Sequence, residues 1–490
     1  MTGAPPIAAP EDPICDGPVL VIDAGTGSVK TAVVAPDGTL IGVADAPYTT
    51  SSPRQGWHEQ APEDWWAATV HAILSTAGAH KASAVVATGA MQSVIPLDRD
   101  RQPIRPALMY SDGRAGAIAA RLSDALAHPA LIKRLGNPPG VFSSALKWRW
   151  LAEEEPETAY RTRHILFGTK DFLVARMTGR CMTDPTTATT TAFLDLHQGA
   201  WDSEMLELAA LQPELLPELA PANAVAGSLL PAAAKRLGLQ PGIPVLNGCG
   251  DAGAATLGSI VHGYETYAYL GSSAWVARVA PMSLLAAPRE TFLLAHPQDA
   301  CLIDISPMMS GGEALVWLQT LFGDLDTLSS QARDLYAEPP ALLFLPFLKG
   351  ERAPIMNADL RAAFFGLDWR HGIAEMTYAV LEGLAFLIRA NLDLLPAKQD
   401  PLVITGGGAR GALLVQLIAD ATGRPARSPY DPQLTTALGA ARLALGSGVF
   451  RHQAEGEPVT PNAERVERME ARYRTFLKAA RFAEEIAPLP

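Results

Sequence analysis

The chain has 490 residues, with 39 Lys and Arg against 51 Asp and Glu and a formal net charge of -12. That length exceeds what one core organises, so two or three domains are expected, and the acidic balance argues against a nucleic-acid-binding surface. No apolar run approaches the ~18 residues of a membrane span, and Cys15, Cys181, Cys249 and Cys301 form no C-x-x-C pair, which speaks against zinc or a disulfide framework and favours a reducing cytoplasm.

Residues 1–17 lack a basic start and an apolar centre and read as a flexible, Pro-rich leader. Two apolar runs follow, joined by a small-residue turn that carries Asp23, Gly25, Thr26 and Ser28. Glycines let backbone approach a ligand closely, and exposed N–H groups with the Thr26 and Ser28 hydroxyls suit phosphate oxygens. Asp23, ending the first strand, suits a magnesium ion or its water. An ordinary hairpin turn is the competing reading. A Walker loop is absent, and Val29–Val34 is β-branched where a dinucleotide fingerprint would open a helix.

Strands over 19–46 predict an antiparallel meander broken at Pro36-Asp37-Gly38, followed by a helix with Pro62 in its first turn and Trp65, Trp66, Thr69, Val70, Ile73 and Leu74 at helical spacing. Ala84–Thr88 and Val94–Leu97 read as strands, and 110–235 as mostly helical, with Ala115–Leu126, Ser144–Glu154 and Thr169–Met177 the clearest segments. The Thr-rich run 183–191 predicts strand or loop. Pro244–Gly248 predicts a short strand leading to Asp251 and a small-residue helix. Thr266–Val279 repeats the opening plan around Gly271-Ser272-Ser273, which suggests an internal duplication with a boundary near 258–266. Farther on, Met376–Leu395 predicts a helix, Leu402–Thr405 a strand that runs into Gly406-Gly407-Gly408-Ala409, and 463–485 an amphipathic helix packed on the body.

Three glycine-rich turns after strands far apart in sequence suggest a nucleotide held in a cleft. Gly406-x-Gly408-x-x-Gly411 alone would also match a dinucleotide fingerprint, an alternative that leaves the hairpins unexplained. Asp251 among small residues leaves room for a substrate and can serve as the base of a phosphoryl transfer, or as a helix N-cap. Asp112 and Arg114 suit polyol binding or a surface turn, and Trp57-His58-Glu59-Gln60 a sugar platform or a packed Trp. The ten histidines show no H-x-x-x-H spacing that would support a protein-bound catalytic metal.

Phe142-Ser-Ser-Ala-Leu-Lys147-Trp-Arg-Trp150-Leu-Ala-Glu-Glu154 and Ala362-Ala-Phe-Phe-Gly366-Leu367 with Glu375–Gly383 resemble long patterns of the FGGY carbohydrate kinases, as do Gly350–Pro354 and Ala437–Ala441. The resemblance spans about 18–450. It implies an α/β protein of two ribonuclease-H-like domains of the actin and hexokinase superfamily flanking a cleft, here 18–262 and 263–490, the first holding the sugar and the second the nucleotide. It implies ATP and Mg2+, Asp251 as general base, Asp23 near magnesium, Gly25, Thr26, Gly271, Ser272 and Ser273 at the phosphates, Gly407, Gly408 and Ala409 beside adenosine, and Met91, Gln92 and Asp112 in the sugar pocket. Ser28 joins the phosphate group from its place in the turn.

The likeness is greatest to xylulokinases, so a pentulose such as D-xylulose is the expected acceptor. Those enzymes usually carry Gln-Met-His where this chain has Ala90-Met91-Gln92, and Asn where it has Ala252. Ala90-Met91-x-Ser93-Val-Ile95 and Glu351–Pro354 are similar to gluconokinases, which makes an aldonate or polyol the alternative. A catalytically silent sugar- or nucleotide-binding regulator is the reading from another class. A cytoplasmic enzyme is expected, without nucleic-acid or membrane partners, with a homodimer as an option.

Overall fold

In the computed structural model, residues 14–487 are described except 261–265, 272–273, 299, 358, 397–400, 430 and 447–456. Ser272, Ser273 and the expected boundary at 262/263 therefore lie outside the described residues, as does most of the leader.

The opening meander is β1 (Val19–Ala24), β2 (Ser28–Val34) and β3 (Leu40–Pro47). Helix α1 (Pro62–Ser75) buries Trp65, Trp66, Thr69 and Ile73 as the spacing predicts, and β4 (Ala84–Gly89) returns parallel to β1. After α2 (Ser144–Glu154) and α3 (Thr169–Thr178) comes a short helix, α4 (Pro185–Thr189), where the Thr-rich run had predicted strand or loop. Its cause is local: Asp184 accepts from Thr186 N and Thr187 N, and Pro185 occupies the first turn. The predicted helix over 115–126 is two short pieces, Gly116–Arg121 and Ser123–Leu126. Strands β5 (Val225–Ser228) and β6 (Pro244–Gly250) complete a six-stranded sheet in the order β5-β6-β4-β1-β2-β3.

Helix α5 (Asp251–Ser259) leads into the second hairpin, β7 (Thr266–Leu270) and β8 (Ala274–Pro281), followed by β9 (Phe292–Ala295) and β10 (Cys301–Met308). Then come α6 (Gly312–Phe322), α7 (Ile373–Leu392), β11 (Leu402–Thr405), α8 (Ala412–Thr422), β12 (Ala426–Arg427), α9 (Thr435–Leu445) and α10 (Ala463–Glu485). The second sheet runs β9-β10-β8-β7-β11-β12. In both sheets the first strand pairs antiparallel with the second and parallel with a strand reached through helix. The internal duplication read from the two hairpins is thus carried by topology.

Each sheet is covered on both faces. The first packs α1 and α3 on one side and α5 with α9 on the other. The second packs α6, α7, α8 and α10 on one side and α5 on the other. Helix α9, although late in the chain, lies on the first sheet: Ala437, Ala440, Ala441 and Ala444 share a core with Val19, Val21, Ala84 and Val86. It meets α5 at bare backbone, since a Cβ on Gly439 would stand 1.9 Å from Ala254 O and one on Gly258 2.0 Å from Thr435 O. Only glycine permits that approach. Helix α5 is thereby wedged between the sheets, Ala254 and Leu257 toward the first and Ala252 and Ala255 toward the second.

Candidate active site

The β1–β2 turn is fixed from below. Gly25 N donates to Ser28 O at 3.1 Å, the Tyr48 hydroxyl to Gly25 O, and Tyr48 N to Gly27 O at 3.0 Å. Gln60 Nε2 donates to Thr26 O at 2.7 Å, and its own Oε1 accepts from Trp65 Nε1 at 2.8 Å. Gln60, read from sequence as part of a sugar platform, thus braces the turn instead. Gly25, Thr26 and Ser28 are all partly open, with their carbonyls occupied from behind.

Asp251 stands at the first position of α5, with Gly250 as the N-cap, so the capping role open to Asp251 is not the one it takes. Its Oδ1 accepts the N–H of Ala252, at 2.8 Å. Burial, followed by the charge of Asp23, pushes its carboxyl up to about 7. Asp23 is pushed up to about 6 by burial, against the pull of Lys30, its cross-strand partner on β2. The charge of Asp23 is thus felt at Asp251, and both carboxyls hold protons more tightly than free acids. Among the described residues no group of three or more His, Cys, Asp or Glu side chains forms a metal cage.

Met91 lies against the end of β6: a Cβ on Gly250 would stand 2.0 Å from Met91 Sδ. Gln92 adopts φ 62°, unusual for a residue other than glycine, and Lys147 Nζ grips its carbonyl at 2.9 Å and that of Met109 at 2.7 Å. Desolvation lowers the Lys147 ammonium to about 7. Tyr110 ties these parts together: burial raises its phenol, which lies toward Thr26 and within the fields of Glu313, Arg352 and Asp251.

Two positions named in the sequence comparison sit in tightly packed surroundings. Asp112, placed in the sugar pocket by resemblance, has no exposed side-chain surface. Its Oδ1 accepts from Arg114 N (3.1 Å) and Nε (2.8 Å), and its Oδ2 from His58 N (2.7 Å) and Arg114 Nη2 (2.8 Å). Four donors leave the carboxylate nothing for a sugar. Arg114 in turn is stacked on Trp57 (3.9 Å) and Trp150 (4.9 Å), so Trp57 is a packed ring. Ala252, where xylulokinases usually carry Asn, is buried with Tyr267 and Trp275 and packs near Met91, because the first turn of α5 leans on the second sheet.

On the other wall, Gly271 O accepts from Gly312 N at 2.9 Å. A Cβ on Gly408 would stand 3.0 Å from Leu270 Cβ, and one on Gly271 2.7 Å from the Tyr269 hydroxyl. The turns at 271 and 406–409 therefore adjoin, with Gly407 open and Ala409 buried. A fourth glycine turn, Ser310-Gly311-Gly312, completes this wall at the end of β10 and was missed, although it obeys the same rule of glycines after a strand. Tyr48, Tyr110, Lys147 and Arg352 were also missed. Tyr269 stacks on Trp275 at 4.1 Å, and its phenol feels both Asp23 and Asp251.

Two duplicated sheets that bring glycine turns and a carboxylate pair to one cleft define a two-domain phosphotransferase. The chain belongs to the FGGY family of carbohydrate kinases: the N-terminal domain of that family matches residues 18–258 and the C-terminal domain residues 307–447. It is 32% identical to the xylulose kinase of Escherichia coli (strain K12), over 86% of this chain and 88% of that protein. It is 26% identical to the gluconokinase of Bacillus subtilis (strain 168), over 82% of each. The crystal structure of the xylulose kinase from Rhodospirillum rubrum superposes with a TM-score of 0.78 at 26% identity, covering 96% of this chain and 99% of that one. The chain is a sugar kinase, with ATP as its second substrate. No helix of the described residues is long and apolar enough to cross a membrane.

Proposed function

We propose that the enzyme transfers the γ-phosphoryl group of ATP to a primary hydroxyl of a pentulose such as D-xylulose, with Asp251 as general base. One observation carries the base assignment: Asp251 is held at the end of β6 beside Met91, its Oδ1 on the N–H of Ala252 and its carboxyl raised to about 7. A base near neutrality is matched to accepting the hydroxyl proton as attack proceeds. In this reading Gly25, Thr26, Ser28, Gly271, Ser272 and Ser273 meet the phosphates, and Gly407, Gly408 and Ala409 border the adenosine. Met91 and Gln92 line the sugar pocket, while Asp112 shapes it indirectly by anchoring Arg114 and His58.

Magnesium fits Asp23. Asp23 is raised by burial against the pull of Lys30, and Asp251 by burial and by the charge of Asp23, which makes a place where a cation relieves the cost of negative charge. Bound there with the nucleotide, the ion would neutralise phosphate charge. The reading extends to a cytoplasmic enzyme, and the homodimer option is checked by light scattering. An aldonate such as gluconate is the second acceptor reading, favoured by the Arg352 guanidinium, which stands 3.5 Å from Gln92 Oε1 and has no carboxylate at ion-pair distance among the described residues.

Asp251→Asn should bind sugar nearly as well and lose about 10²- to 10⁴-fold in turnover. Coupled ADP release measures this, and wild-type turnover in that variant would remove Asp251 from the mechanism.

A further inference from the structure

Arg352 projects from the second domain toward Gln92 of the first, with Nη2 3.5 Å from Gln92 Oε1 and the guanidinium carbon 5.3 Å from the Phe142 ring. Among the described residues no carboxylate lies within ion-pair distance of it. Its neighbour Glu351 is turned away, Oε1 accepting Met309 N at 2.6 Å and the Arg352 backbone N at 2.8 Å. Asp112 is consumed by Arg114. Tyr110, in the fields of both Arg352 and Asp251, places this cation in the same cavity as the base. A desolvated guanidinium without a counterion is costly to hold, and here it has a use.

A guanidinium has donors only, so the amide group turned toward it must be the Gln92 oxygen, which leaves the Gln92 NH2 as a further donor. The backbone beneath is locked at φ 62° by the Lys147 grip on the Gln92 carbonyl, so the amide is aimed rather than mobile. We propose that Arg352 and Gln92 form a wall of the acceptor pocket, dominated by N–H donors, that favours sugars with a trigonal oxygen, keto or carboxylate, over polyols. The chemistry of a ketopentose agrees. When its terminal hydroxyl is the nucleophile it is not closed into a ring through that hydroxyl, and the free carbonyl offers two lone pairs and no proton. A carboxylate offers the same lone pairs with charge. A polyol hydroxyl can accept one such bond, but its oxygen is a weaker acceptor than a carboxylate and lacks the two in-plane lone pairs that a trigonal oxygen turns to the guanidinium. This rests on the sugar-kinase reading above and assigns its specificity to a residue from the opposite domain.

The test compares D-xylulose, D-gluconate, xylitol and D-arabinitol, with kcat/KM from coupled ADP release and acceptor-induced thermal shifts without ATP. Wild type should favour xylulose or gluconate over both pentitols by about 10²-fold. Arg352→Met should cost the favoured acceptor about 10- to 100-fold, chiefly in KM, and the pentitols about threefold or less, so the preference collapses. Gln92→Glu hands Arg352 a carboxylate partner; it should lower kcat/KM for the favoured acceptor, more steeply for gluconate than for xylulose. This second variant decides the matter if Arg352→Met does not fold. An equal fall for all four acceptors, or an unchanged preference in Gln92→Glu, overturns the proposal. A thermal-shift preference for xylulose or gluconate without turnover on any acceptor would leave the wall standing and overturn the pentulose reading alone.

Discussion

Asp23 and Tyr269 occupy the same place in the two halves of the molecule. Each is the penultimate residue of the first strand of its hairpin, and each lies beside a threonine of the parallel neighbour, Thr88 for Asp23 and Thr405 for Tyr269. Both threonine hydroxyls are buried without a hydrogen-bond partner. Across the hairpin, Asp23 faces Lys30 and Tyr269 faces Trp275. The backbone frame is common and the side chains divide the labour. In the proposed reading, one half would present charge to the reacting atoms, and the other an aromatic floor and glycine backbone to the nucleotide.

The division is broken most severely at Asp23. Asp23→Asn removes the charge that helps raise Asp251, and should cost about 10²- to 10³-fold in kcat. It should also move the acidic limb of the kcat profile below its expected place near pH 7, because Asp251 then loses its proton more readily. The sign for stability follows. A carboxyl raised from its ordinary value to about 6 or 7 binds a proton in the folded state where the unfolded chain has released it. Each therefore contributes stability that is present at low pH and lost as pH rises through the folded value. Urea midpoints at pH 5 and pH 8 should show a fall across that window in wild type and a smaller fall in Asp23→Asn. An unmoved limb and an equal fall would mean that the two carboxylates are independent.

The second half is sharpened by Gly406→Ala. Gly406 has φ 85°, and a Cβ there would stand 2.6 Å from the carbonyl carbon of Leu270 at the end of β7. The strained backbone alone is worth about 1–3 kcal/mol, and relief requires moving the turn that borders the proposed adenosine. KM for ATP should rise severalfold while KM for the sugar changes little. A change confined to the sugar would place the nucleotide elsewhere.

What could be read without coordinates is what lies within one strand and its turn. The hairpins at Asp23 and Gly271, the strand ending at Asp251 and the helix over 463–485 are local patterns of period and punctuation, and they stand where expected. Contacts between distant segments were illegible. Helix α9 is almost uniformly apolar, so nothing in it specifies that it crosses to the first sheet. The saturation of Asp112 depends on His58, 54 residues away, and the approach of Arg352 to Gln92 spans 260 residues. A residue type announces what chemistry it can do, whereas its partners decide whether that capacity is already spent.

The smallest effect belongs to the hydroxyl of Tyr269, and it bears most directly on whether the two halves differ in kind. Burial, reinforced by Asp23 and Asp251, raises the phenol above its ordinary value, so it stays neutral across the working range and adds no charge to the carboxylate pair. Its hydroxyl lies toward Thr436, and its ring, stacked on Trp275, supports the Gly271 turn. Tyr269→Phe keeps the stack and removes only the hydroxyl, an effect of at most one hydrogen bond, about 0.5–1.5 kcal/mol. Turnover should fall by about threefold or less with the pH limb unmoved, whereas Tyr269→Leu, which loses the aromatic floor, should raise KM for ATP further. A loss in Tyr269→Phe as large as that in Asp23→Asn would give the phenol a direct part in phosphoryl transfer, and both halves of the duplication would then supply reacting groups.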